Sequence, residues 1–169
     1  MSLFRLRNFI IVLAMILLAF IIQCTVLSRL TYLSCAPNFL LALTFIYGYS
    51  NGKTSGMFIG FFAGLLLDVF FCEFIGFNAL IFVIIGFVSG MWNKYFYSDN
   101  IYIPLLLLVG SDLFYCLINF FFWFVLRARI NIGYYFGNVI IPEFLMTLAA
   151  GIIIYKPVTI LNNKLRIES

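Results

Sequence analysis

The side chains able to do chemistry are few: six acids, ten lysines and arginines, four cysteines and no histidine in 169 residues. The lack of histidine removes the commonest general base and the commonest metal ligand. Cys24, Cys35, Cys72 and Cys116 stand far apart, with no C-x-x-C pair and no zinc spacing. The run Gly48-Tyr49-Ser50-Asn51-Gly52-Lys53-Thr54 approaches the phosphate-binding pattern G-x-x-x-x-G-K-[ST], but position 47 is Tyr47 where the first glycine is required. That motif also needs a preceding strand, and here the run reads as a tight turn between apolar segments. What remains is a set of isolated acids, Asp68, Asp112 and Glu143. They could relay protons or cations, or they could pin helices together.

The elements that must position these residues follow from composition. Apolar residues make up 65% of the chain, aromatic residues 20% and charged residues only 9%, and mean hydropathy is +1.15. A soluble domain carries about 25% charged residues to cover its surface, so this surface faces lipid. The net charge of +4 is scattered between apolar runs and forms no basic stripe, which excludes nucleic-acid binding. Arg5 and Arg7 before an apolar run at 9–22 resemble a signal peptide. The run is too long and lacks a small-x-small cleavage site, and Gln23 before Cys24 opposes lipoprotein processing. The segment reads as a retained first helix.

Polar punctuation divides the chain into a single all-α membrane domain, a polytopic bundle of about six transmembrane helices at 9–27, 38–49, 54–71, 77–92, 101–126 and 138–161. The second span is short for a hydrocarbon core of about 30 Å, so it must begin earlier or sit where the bilayer is thinned. Placing both termini in the cytoplasm puts Arg5, Arg7, Lys53, Lys94, Lys156, Lys164 and Arg166 inside and Arg29, Arg127 and Arg129 outside. The positive-inside rule favours that orientation. Cys35 and Cys72 then both fall near the outer surface, as a disulfide pair or as small apolar filler.

On the third span Gly52, Gly56, Gly60 and Gly64 recur every four residues and Asp68 continues the series. This spacing lines one helix face and lets another backbone approach closely. The face serves either intramolecular packing, the favoured reading, or docking of a partner subunit. Asp68 lies roughly 20 Å along its helix, toward the outer end. With Glu73, Glu143, Arg29, Arg127 and Arg129 it suggests an outer ion-pair layer. Asp112 falls near mid-membrane, with Tyr115, Cys116 and Asn119 on its face, pointing into the bundle. The acids stand at different depths without histidine or mid-membrane lysine, so structural roles are favoured over a relay. No Ser-His pair or paired mid-membrane aspartates mark an intramembrane enzyme, and no cofactor or metal is expected.

Pro37-Asn38-Phe39-Leu40, then Gly60-Phe61-Phe62-Ala63-Gly64-Leu65-Leu66-Leu67-Asp68, then Gly76-Phe77-Asn78-Ala79-Leu80 resemble MreD, the bacterial rod shape-determining membrane protein family. Ile140-Ile141-Pro142-Glu143 is similar to that family's last helix. The resemblance implies a non-catalytic scaffold of lateral cell-wall elongation in the bacterial cytoplasmic membrane. Its partners would be the bitopic protein MreC and, through the complex, MreB, RodA and a class B penicillin-binding protein. It also implies an architecture similar to the substrate-binding subunits of vitamin importers. Gly60, Gly64 and Asp68 are expected to contribute to the MreC contact. The alternative is a small-molecule-binding importer subunit. Such subunits dock through an Ala-x-x-x-Ala face on the first helix, and Ala14 and Ala19 here have the wrong spacing.

Overall fold

The computed structural model describes residues 2–29, 38–72, 74–95, 102–127, 146–155 and 158, with side chains over 10–25, 38–72, 74–93, 104–122, 146–155 and 158. Every described element is helical: α1 (Ser2–Arg29), α2 (Phe39–Asn51), α3 (Lys53–Phe71), α4 (Phe77–Met91) with a 3₁₀ turn at Trp92–Tyr95, α5 (Tyr102–Arg127) and α6 (Met146–Tyr155). Lys53–Phe71 and, within α5, Pro104–Phe122 are long and apolar enough to cross a membrane. Pro104 sits in the first turn of α5, where its missing N–H has no intrahelical partner to lose. Gly52 joins α2 to α3 at φ 91°, ψ 178°, a conformation essentially confined to glycine.

The centre of the bundle is α2, which packs against α1, α3, α4 and α5. Ten of its 13 residues are buried, from Leu40 on every side round to Ser50. A helix that is apolar all round is stable only when enclosed. At 13 residues it is about 20 Å long, shorter than a bilayer core. Enclosure resolves the shortness inferred from the sequence, because a helix surrounded by other helices need not meet lipid along its length. It must, however, have its backbone N–H groups satisfied by protein, since no water is there to do it.

The rest of the bundle is apolar outside and partly polar inside. Ile75 and Leu106 are 74% and 73% exposed, Phe121 and Ile153 each 69%, while Thr44, Asp68, Asp112 and Thr147 are fully buried. Such a surface would drive association in water and is at home in lipid. Buried hydroxyls pair with their own helix: Thr44 Oγ1 donates to Leu40 O at 2.8 Å, and Ser50 Oγ donates to Ile46 O at 2.9 Å. This back-bonding removes the penalty of an orphan hydroxyl in hydrocarbon.

The tightest packing joins α3 to α4. A Cβ on Gly60 would lie 2.6 Å from the carbonyl carbon of Phe82, and one on Gly64 2.6 Å from Ala79 N. A Cβ on Gly56 would stand 2.9 Å from the carbonyl carbon of Gly86 and 2.8 Å from the Cα of Gly48 on α2. Gly86 presses back on the Gly56 carbonyl, so the two backbones touch with no side chain between them. This approach permits Cα–H···O contacts and close dispersion packing, the forces that hold helices together where no hydrophobic drive exists.

Candidate functional site

The turns at Gly52 and Gly76 make α2, α3 and α4 successively antiparallel, so the start of α2, the end of α3 and the start of α4 share one end of the bundle. Two helix caps lie there.

The first cap covers the start of α2. Asn38 Oδ1 accepts from Leu41 N at 3.1 Å as a local N-cap. Gln23 of α1 brings Oε1 to Leu40 N at 3.2 Å, and Thr147 of α6 brings Oγ1 to Asn38 N at 3.2 Å. Three orphan donors of one helix are thus met by its own cap and by two other helices, which fixes α1, α2 and α6 in register. Gln23, Asn38 and Thr147 are all buried.

The second cap is built on Asp68, in the last turn of α3 and fully buried. Its Oδ2 accepts from Gly76 N at 2.9 Å and Ala79 N at 3.0 Å. Its Oδ1 accepts from Asn78 N and Asn78 Nδ2, each at 3.0 Å. One carboxylate therefore takes three of the free N–H groups at the start of α4, an arrangement that only an acceptor-only side chain can serve fully. The negative charge also lies at the positive end of the α4 dipole, which adds to the attraction. Gly76 turns the chain at φ 104°, ψ −12°, aiming its own N–H back at the carboxylate. The Asp68-to-Gly76 spacing in the sequence is the length of that return. Asn78 Nδ2 also donates to Cys72 Sγ at 3.0 Å, and Asn78 Oδ1 is buried without a partner. Burial, helped by the nearby Asp68 charge, pushes the Cys72 thiol up from its ordinary value.

This geometry corrects the expectation of an ion-pair layer at the position of Asp68, whose two oxygens are occupied by α4 N–H groups. The side chains of Arg29, Glu73, Arg127, Arg129 and Glu143, like those of Pro37, Cys35 and Pro142, lie outside the described residues. Cys72 is a free thiol. Asp112 and Cys116 are buried on α5, with Tyr115 and Asn119 half-buried beside them. Asn119 Nδ2 donates to Tyr115 O at 3.1 Å, closing on its own helix. Gly56, Gly60 and Gly64 lie against α4 of the same chain, so a partner span would have to displace α4 to reach them. At the opposite end Asn93 Nδ2 donates to Tyr49 O at 2.6 Å, and Lys53 Nζ lies 5.4 Å from the centre of the Phe87 ring. The Gly52-Lys53-Thr54 turn is a helix junction and holds no phosphate cradle.

Two participants were not singled out as site residues in the sequence, Gln23 and Thr147. Thr147 meets Asn38 across 109 positions of chain, and nothing local in either segment announces that contact. Asn78 stood inside a motif without an assigned task.

Among the described residues no group of three His, Cys, Asp or Glu side chains is placed to hold a metal ion. The bundle is thus an all-helical membrane protein in which Gln23, Thr147 and Asp68 join helix to helix while Thr44 and Ser50 bond within their own. The chain matches the family described as rod shape-determining protein MreD over residues 4–165, and it belongs to that family. It is a membrane family of shape-determining proteins, not a known enzyme family. No curated protein and no solved structure matches the chain.

Proposed function

We propose that this protein is a non-catalytic membrane scaffold of the lateral cell-wall elongation complex, holding MreC and linking it to wall-synthesis enzymes. Both termini lie in the cytoplasm on this reading, and the end bearing the two caps faces outward. The observation that carries it, beside membership of the family, is the use made of Asp68. Asp68 caps α4, and both of its oxygens are occupied by α4 donors, which leaves none over for transport or catalysis. Gly56, Gly60 and Gly64 then support partner binding indirectly, by sealing α3 onto α4 and giving the scaffold a fixed shape.

Affinity purification of the tagged protein in mild detergent tests this. Co-recovery of MreC with other wall-elongation proteins is the expected result. Recovery of an ATPase module or a bound vitamin, without MreC, would make the chain an importer subunit and overturn the proposal.

A further inference from the structure

We propose that a cleft between α2, α5 and α6 binds one hydrocarbon chain of a membrane phospholipid. The cleft has a volume of about 230 Å³ and is lined by Phe45 and Tyr49 of α2, Leu105 and Leu108 of α5, and Ile152 and Tyr155 of α6, among others. It lies at the end of the bundle that carries the Gly52 turn, since it uses the last turns of α2 and the first turns of α5.

Its polarity is graded. Tyr49 stands in the last turn of α2 and Tyr155 about one turn beyond Ile152 on α6, while Phe45, Leu108 and Ile152 lie roughly 5 Å further in. A membrane lipid shows the same gradient, with a polar head at the interface and carbon below, and tyrosine favours that boundary. One flank is closed, because Gly151 is pressed against Leu108: a Cβ there would lie 2.8 Å from its Cδ1. The other flank opens sideways past Leu105, half-buried, and Ile152, 56% exposed. In a membrane-spanning bundle the medium at that opening is hydrocarbon.

The apolar lining and the lipid-facing rim at Ile152 select the occupant. An apolar cavity of only about 150 Å³ stays dry and accepts benzene, so water is no competitor here. An acyl chain laid in the cleft touches side chains of three helices at once, where the convex surface at Phe58 and Phe61 offers one-sided contact. Filling the cleft would join α5 and α6 to α2 through a lipid.

The test uses the full-length protein in liposomes of phosphatidylcholine and phosphatidylglycerol, doped with a phospholipid carrying a photoactivatable diazirine on one acyl chain. After irradiation, adducts are mapped by peptide mass spectrometry. Adducts should be several-fold more abundant at cleft residues than at Phe58 and Phe61. Ile152→Trp, at the open rim, should reduce the cleft adducts several-fold. Leu106→Trp, at a 73% exposed position outside the cleft, should leave them unchanged. Even labelling of cleft and convex surfaces in the wild-type protein overturns the proposal whether or not either variant folds. Preferential cleft labelling by a water-soluble carbene reagent overturns it too.

Discussion

Replacing Asp68 by asparagine changes one atom and tests the second cap directly. The amide retains one carbonyl oxygen, which can keep either the Asn78 pair or the Gly76 and Ala79 pair of N–H donors. Its NH₂ group must then face the other two, donor against donor. With the oxygen turned to Asn78, the backbone N–H groups of Gly76 and Ala79 lose their acceptor in a site where Asp68 is fully buried. Each orphaned buried donor costs about 1–3 kcal/mol, so the expected loss is about 2–6 kcal/mol. That is a large share of the roughly 5–15 kcal/mol by which folded domains are stable. Equilibrium unfolding in mixed detergent–SDS micelles, followed by circular dichroism, measures it. Asn78→Ala is the paired control. It removes a single donor to Asp68, leaves the backbone donors in place and also deletes the unpartnered Oδ1, so its cost should stay below about 1.5 kcal/mol. Equal effects of the two variants, or an Asp68→Asn loss under about 0.5 kcal/mol, would refute the claim that the carboxylate caps α4.

Further expectations can be checked by the same unfolding measurement. Gly60→Ala forces a Cβ into the Phe82 backbone and should destabilise by about 1–3 kcal/mol or more, since backbone cannot yield as a flexible side chain can. Gly110→Ala has no heavy atom within 4 Å of the new Cβ and should be neutral or stabilising by up to about 1 kcal/mol, from helix propensity alone. Thr147→Val keeps the shape but removes the acceptor of the Asn38 N–H; a loss of about 1–3 kcal/mol is expected, and no loss would remove α6 from the first cap.

Much of the architecture was legible because it rests on one-dimensional signals. Apolar runs long enough for a bilayer, separated by Asn, Gly and charged residues, define helices without knowledge of their neighbours. The four-residue spacing of Gly56, Gly60, Gly64 and Asp68 likewise places them on one face of α3 from helical period alone. The pattern could not reveal the occupant of that face, because a groove without side chains accepts any backbone. The turn at Gly76 folds α4 down upon it.

The polar residues divide in the same way. Burial of Asp112 follows from its place deep in an apolar span, and the sequence carries that information. The partners of Asp68 do not follow from its type or depth. As one of several acids and arginines assigned to the outer end, it could have formed an ion pair. Only the φ of Gly76 and the direction of α4 bring the N–H groups to its two oxygens. Gln23 and Thr147 are further cases. Each is an ordinary polar residue in an apolar helix until three helices converge on the start of α2. Composition and periodicity therefore determined that this chain lives in lipid as helices, because those properties depend on length and on the free energy of single residues in hydrocarbon. The tertiary structure decided which polar group satisfies which, because hydrogen bonds depend on distances between segments that the order of residues does not contain.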